Sequence, residues 1–226
     1  MFKFEPSPYG SLVRSFNFEP TPEGYLMSHT TVTVAIAYHS GFGHTRRLAD
    51  RVALGASSVP GAKAVLAPVD TITDGLWDTL SAADAIIFGT PTYMGTASGT
   101  FHAFAEASSK VWHGRGWQDK LAAGFTISGG MSGDKLNTLQ FLTVLAAQHG
   151  MNWVNLGLVP GWNLADSRDD EVNRLGFYLG LGAQVPNDVD AAGLNTGDLE
   201  TAELLGARVA RQALTLLAGR RALVAA

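Results

Sequence analysis

The chain has 226 residues, no cysteine, a formal net charge of −4, and 46% hydrophobic against only 16% charged residues. That balance suits a large apolar interior and excludes disorder throughout, while the missing thiols exclude disulfides, cysteine-ligated zinc, iron–sulfur clusters and thiol catalysis. The acidic balance offers no basic stripe for a phosphate backbone, so no nucleic acid is expected as a partner, and no apolar run reaches the roughly 18–20 residues of a membrane span.

In residues 1–30, Pro6, Pro8, Pro20 and Pro22 interrupt short aromatic pieces around Phe2, Phe4, Phe16 and Phe18. No helical or strand period persists there, so this stretch is expected to be an N-terminal extension or arm, with the folded domain spanning 31–226. Without the apolar core of a signal peptide, the expected location is cytoplasmic.

From residue 31, short β-rich runs alternate with helical stretches, the pattern of a parallel sheet covered on both faces. Strands are expected over 32–37, 63–67, 85–89, 122–127 and 153–156. Helices are expected over about 45–57, 76–80, 98–111, 135–149 and 198–217. Five strands joined by helices predict a doubly wound α/β domain of strand order 2-1-3-4-5. The stretch 157–197 is long and glycine-rich and carries Trp162 and Tyr178. A segment of that length is expected to shape a site or an interface.

In such sheets ligands bind beyond the carboxyl ends of the strands. After the first strand stand Ser40, Gly41, Phe42, Gly43, His44 and Thr45, two hydroxyls and two glycines at a helix start, where free N–H groups and the helix dipole favour a phosphate. The same pattern is also an ordinary helix cap. GxGxxG fails because Arg46 occupies the third glycine position, and GxxxxGK[ST] is absent, which weakens the dinucleotide and P-loop readings.

After the third strand, Thr92, Tyr93 and Met94 offer flat and polarisable side chains suited to a planar ring. After the fourth, Ile127, Ser128, Gly129, Gly130, Met131 and Ser132 let main chain approach the same ring. The lack of GxSxG argues against a serine hydrolase, and six histidines without tight ligand spacing give no metal site. His149, at a helix end, is also explained as a cap whose charged form the dipole favours, and Trp112 as a packed core residue.

The segments YHSGFGHT (38–45), AIIFGTPTYMG (85–95) and LAAQHGM (145–151), in correct strand–helix order, resemble the flavodoxin superfamily. Within it the chain is most similar to the tryptophan-repressor-binding-protein-like (WrbA-type) NAD(P)H:quinone oxidoreductases and the related NADPH-dependent FMN reductases. The resemblance runs from about 34 to 213. It implies that residues 40–45 hold the phosphate of FMN, and that Thr92, Tyr93, Met94 and residues 127–132 hold its ring and ribityl chain.

It further implies that His149 approaches the flavin of a neighbouring subunit, that Trp112 lines the acceptor pocket and that Phe42 stacks with the nicotinamide nucleotide. A homodimer or homotetramer follows from that arrangement. Phe42 and Tyr93 depart from the tyrosine and arginine of the best-known members, Met131 and Ser132 interrupt a glycine run, and the segment 67–84 is short. The function implied is FMN-dependent transfer of two electrons from NADH or NADPH to a quinone-like small acceptor, with no side chain required as acid or base. The alternatives are a flavodoxin-type electron carrier and a non-catalytic interaction protein of the same fold.

Overall fold

The run VTVAIAY forms strand β1 (Val32–Tyr38), whose side chains alternate between two hydrophobic layers, as burial on both faces requires. The structure is a computed structural model that describes residues 31–225, so the arm expected over 1–30 lies outside the described residues. In chain order, β1 is followed by α1 (His44–Ser57), β2 (Ala62–Pro68), α2 (Asp74–Ala82) and β3 (Ala85–Tyr93). Then come a short β4 (Thr96–Ala97), α3 (Gly99–Ala107), α4 (Ser109–His113), β5 (Leu121–Ser128) and α5 (Lys135–Gln148). The chain ends with β6 (Asn152–Trp153), β7 (Leu181–Gln184), a 3-10 turn at Ala191–Gly193 and α6 (Thr196–Ala225).

The sheet runs β2-β1-β3-β5 in parallel, the expected order in its first four positions. The fifth position differs from the single strand expected over 153–156. β6 pairs with the start of β5 at Leu121 and Ala122, and β7 pairs with its end from Phe125 to Ser128. Between them the chain leaves the sheet, turning at Gly157 with φ of 68°. The Trp153 indole N–H then donates to the Leu179 carbonyl at 2.8 Å, anchoring the returning segment.

One further difference lies in the helix expected over 98–111, which breaks at Ser108, whose hydroxyl donates to the Ala105 carbonyl. On one face Val34, Ile36, Ile87 and Phe125 pack against Leu48 and Val52 of α1 and Leu205 and Val209 of α6. On the other, Phe88 meets Phe101 and Trp117 in a cluster that also holds Trp77 and Phe104, stacked at 5.5 Å.

Helices α1 and α6 approach so closely that their backbones meet, besides the packing of their apolar side chains and the Arg51–Glu203 ion pair. A Cβ at Gly206 would stand 2.0 Å from the Val52 carbonyl oxygen, and one at Gly55 would stand 1.9 Å from that of Glu203. Glycine to alanine favours an exposed helix by about 1 kcal/mol. Here the clash reverses the sign: Gly206→Ala and Gly55→Ala are each expected to lower stability by about 1–3 kcal/mol, the range for overpacked cores. Urea unfolding midpoints measure this, and an unchanged or raised midpoint for both would refute the contact.

Candidate functional site

All four full-length strands point their carboxyl ends to one edge, so the loops after β1, β3 and β5 meet there around a cleft of about 340 Å³. That volume falls within the range of small-molecule sites. Phe42, His44, Thr45, Thr92, Tyr93, Ile127, Ser128 and Gly129 all line it. These sequence-derived residues of the three loops therefore converge, whereas Ser40, Gly41 and Gly43 are not part of its lining.

The first loop is built to leave donors free. Ser40 Oγ accepts from the N–H groups of Gly43 and Arg46, each at 3.1 Å, and Gly43 caps α1 with φ of 89°, a left-handed geometry that glycine tolerates. The N–H groups of Gly41, Phe42, His44 and Thr45 have no acceptor among the described residues. Thr45 is buried on the cleft wall, and its hydroxyl also lacks a protein partner there. Several unpaired donors with a helix dipole behind them form an anion-binding end. A Cβ at Gly41 would reach within 2.5 Å of the Tyr93 hydroxyl, so the first and third loops approach closely.

The loop after β3 is a tight hairpin: Thr92 faces Ala97 and Tyr93 faces Thr96, with Met94 and Gly95 both at positive φ in the two-residue turn. Met94 is the exposed tip and is absent from the cleft lining. The Thr92 hydroxyl is committed to Thr126 at 2.8 Å and Thr138 at 2.7 Å, so its side chain braces β3 against β5 and α5. Phe42 and Tyr93 form a flat-walled corner, ring centres 6.4 Å apart in edge-to-face contact. Burial raises the Tyr93 pKa, so its phenol keeps its proton near neutral pH.

In the loop after β5, Ile127 is buried and Gly129 lies on the wall, whereas Gly130, Met131 and Ser132 form an exposed rim beyond it. The segment after β7 supplies residues that the sequence reading had not singled out. Val185 and Asn187 line the cleft, and His44 Nε2 donates to the Val189 carbonyl at 2.8 Å. Gln184 Nε2 donates to the Gly129 carbonyl at 2.9 Å, coupling β7 to the same loop. The only sequence signal for these was the length of the stretch containing them.

The cleft fits a phosphorylated planar ring, with free N–H groups at one end and flat aromatic walls at the other. A serine-hydrolase arrangement gains nothing from the nearby Ser98, His39 and Asp70. Ser98 Oγ lies 2.8 Å from His39 Nδ1, but Ser98 is only 2% exposed and its oxygen accepts the Phe101 N–H as the cap of α3.

His149 and Trp112 stand elsewhere, sharing a different cleft with Gln148. The 14-residue helix α5 separates His149 from the third site loop, about 20 Å at helical rise. Trp112 is 51% exposed, so core packing does not explain it. The capping explanation of His149 through a charged ring is also corrected. Burial lowers its pKa, and the Ser108 hydroxyl, already donating to Ala105, must accept from His149 Nε2 at 2.8 Å. The buried Nδ1 is left as an unpartnered acceptor on a neutral ring.

A family model described as NADPH-dependent FMN reductase matches residues 67–160. The chain is 45% identical to "Flavodoxin FldP" of Pseudomonas aeruginosa over 78% of this chain and 94% of that protein. It is 31% identical to "NAD(P)H dehydrogenase (quinone)" of Geobacter sulfurreducens over 72% and 92% of the two chains. Among solved structures, a flavodoxin, WrbA-like protein from Agrobacterium tumefaciens superposes with a TM-score of 0.65 at 44% identity, covering 82% of this chain and 99% of that one.

The neutral state of His149 has a pH signature. A base whose pKa is lower folded than unfolded takes up its proton preferentially in the unfolded state. Stability is therefore expected to fall as pH drops below about 6.5, the unperturbed value. The contribution is at most about 1.4 kcal/mol per pH unit for one proton. Denaturation of wild type and His149→Gln between pH 7.5 and 5.5 tests this: the stability gap should shift in favour of the variant on acidification, and a parallel pH dependence would refute it.

Proposed function

Because the chain belongs to the flavodoxin-like family that contains the WrbA-type NAD(P)H:quinone oxidoreductases, we propose that it uses FMN to pass two electrons from NADH or NADPH to a quinone-like acceptor. The observation that carries this reading is the union, in one cleft, of the unpaired first-turn donors around Thr45 with the aromatic corner of Phe42 and Tyr93. Bound FMN would supply the reversible redox chemistry that a cysteine-free chain lacks in its own side chains. The balanced exchange takes NAD(P)H, one proton and a quinone to NAD(P)⁺ and the hydroquinone.

The residues have separate tasks in this reading. Ser40, Gly41, Phe42, Gly43, His44 and Thr45 receive the phosphate: Ser40 and Gly43 shape the loop, Gly41, Phe42 and His44 offer main-chain N–H groups, and Thr45 adds its hydroxyl to its own N–H. Tyr93 holds its proton at Oη and presents it to polar ring atoms, and Ile127 and Gly129 exclude water from the opposite wall. Phe42, 79% exposed, gives the nicotinamide a surface to stack upon. His149 stands at the far end of α5, and Trp112 of α4 shares its separate cleft, so their part requires a second subunit, and a homodimer or homotetramer belongs to the proposal. A cytoplasmic location is part of it too; among the described residues no helix is long and apolar enough to cross a membrane.

A one-electron carrier is the second reading, favoured by the flavodoxin name of the 45% identical relative. The two separate in one experiment. Under anaerobic conditions the FMN-loaded protein should lose its flavin absorbance near 450 nm (about the usual flavin band) on adding NADH or NADPH, and regain it with benzoquinone. Flavin binding without reduction by either nicotinamide would refute the enzyme and favour the carrier. Thr45→Val should weaken FMN binding by roughly 10–100-fold, the value of a hydrogen bond to a charged group. Fluorescence quenching of FMN reads this directly, and unchanged affinity would remove Thr45 from the phosphate site.

A further inference from the structure

Lys135 breaks two rules of local stability at once. It is the first residue of α5, where the helix dipole disfavours a cation, and it is fully buried, which is rare for lysine. Its three ammonium protons are nevertheless matched by three acceptors, all from one loop: the carbonyls of Gly130 at 2.5 Å, Met131 at 3.2 Å and Ser132 at 3.4 Å. The residue before it, Asp134, has φ of 55°, an uncommon left-handed geometry outside glycine. A sequence that accepts these costs gains something specific at this loop.

The gain follows from the planarity of the peptide bond. In a trans peptide, C=O and the N–H of the next residue point in opposite directions. Carbonyls of Gly130, Met131 and Ser132 drawn inward to Lys135 therefore turn the N–H groups of Met131, Ser132 and Gly133 outward, and none of the three has an acceptor among the described residues. The outcome is a rim of aligned donors with a buried positive charge behind it.

We propose that Lys135 is a positioning residue of the cofactor site, holding the loop after β5 so that its outward N–H groups and the charge beneath them favour the electron-rich carbonyl edge of the flavin. This rests on the FMN reading above. The charged groups facing Lys135 from the packed elements are Asp198 of α6, which favours the ammonium, and Arg174, which opposes it. With burial as the dominant cause, the pKa is pushed down to about 8, so the charge is lost within an accessible pH range.

The test combines FMN titrations with a measurement on the FMN-free protein. Wild-type affinity should be steady up to about pH 7 and weaken severalfold or more by pH 9.5, as the ammonium of pKa about 8 is lost. Lys135→Met should bind FMN at least tenfold more weakly at pH 7 and lose this pH dependence, while Lys135→Arg, which keeps its charge, should recover part of the affinity without the drop near pH 8. In FMN-free protein at pH 6.5, ¹⁵N order parameters of residues 130–133 should fall in Lys135→Met relative to wild type. Wild-type affinity that does not change across the pH range, or a methionine variant with both affinity and loop order unchanged, overturns the proposal. Failure of the wild type to bind FMN would sink the functional reading instead, and the loop order of the FMN-free protein would still decide whether Lys135 holds the loop.

Discussion

Arg174 Nε lies 2.9 Å from Asp198 Oδ1, with both side chains almost wholly removed from water. Charges so buried are tolerated only when hydrogen bonding is nearly complete, and here it is. Arg174 also donates to the Gln184 carbonyl, and Asp198 accepts the Gln184 N–H at 2.9 Å. Gln184 in turn reaches the Gly129 carbonyl. One ion pair thus joins the excursion after β6, the strand β7, the long closing helix and a loop of the cleft. The parallel ladder sets the first four strands by itself, but the fifth position is closed by this network.

The legibility of the chain in sequence tracks the range of the forces involved. β1, β3 and β5 are continuous apolar runs bounded by small residues, and nearest-neighbour pattern is enough to find them. Residues 40–45 stood out as glycines and hydroxyls at a strand–helix junction, a pattern that an ordinary helix cap shares. β7 was not visible: four residues, LGAQ, carry too little periodicity, and their pairing with β5 depends on Arg174 and Asp198, 24 positions apart. Asn187 and Val189 were missed for the same reason. The hydroxyl of Thr92 shows the opposite limit, a residue placed at the right loop whose side chain turns inward to Thr126 and Thr138.

Polar atoms at the cleft are divided between those consumed by the scaffold and those left over. Ser40 Oγ, Gln184 and Lys135 are occupied in holding main chain and Thr92 Oγ1 in bracing the hydroxyls of Thr126 and Thr138, while the unpaired groups among the described residues are mostly backbone N–H. Recognition through main chain is insensitive to side-chain identity. In the proposed site this insensitivity applies to Met131 and Ser132 on the exposed rim, and not to Phe42 and Tyr93, whose rings build the aromatic corner.

The divided fifth position also bears on how such a chain can change over time. β6 and β7 pair with different halves of β5 and not with each other, so the intervening excursion, with Val159, Trp162 and Leu164 exposed, enters where the ladder is already interrupted. Lengthening it breaks no strand pairing, and doubling a loop costs only about 0.6 kcal/mol in closure entropy. Insertions and deletions confined there, with Arg174 and its partners retained, offer evolution a part of the surface that varies independently of the loops at the carboxyl edge.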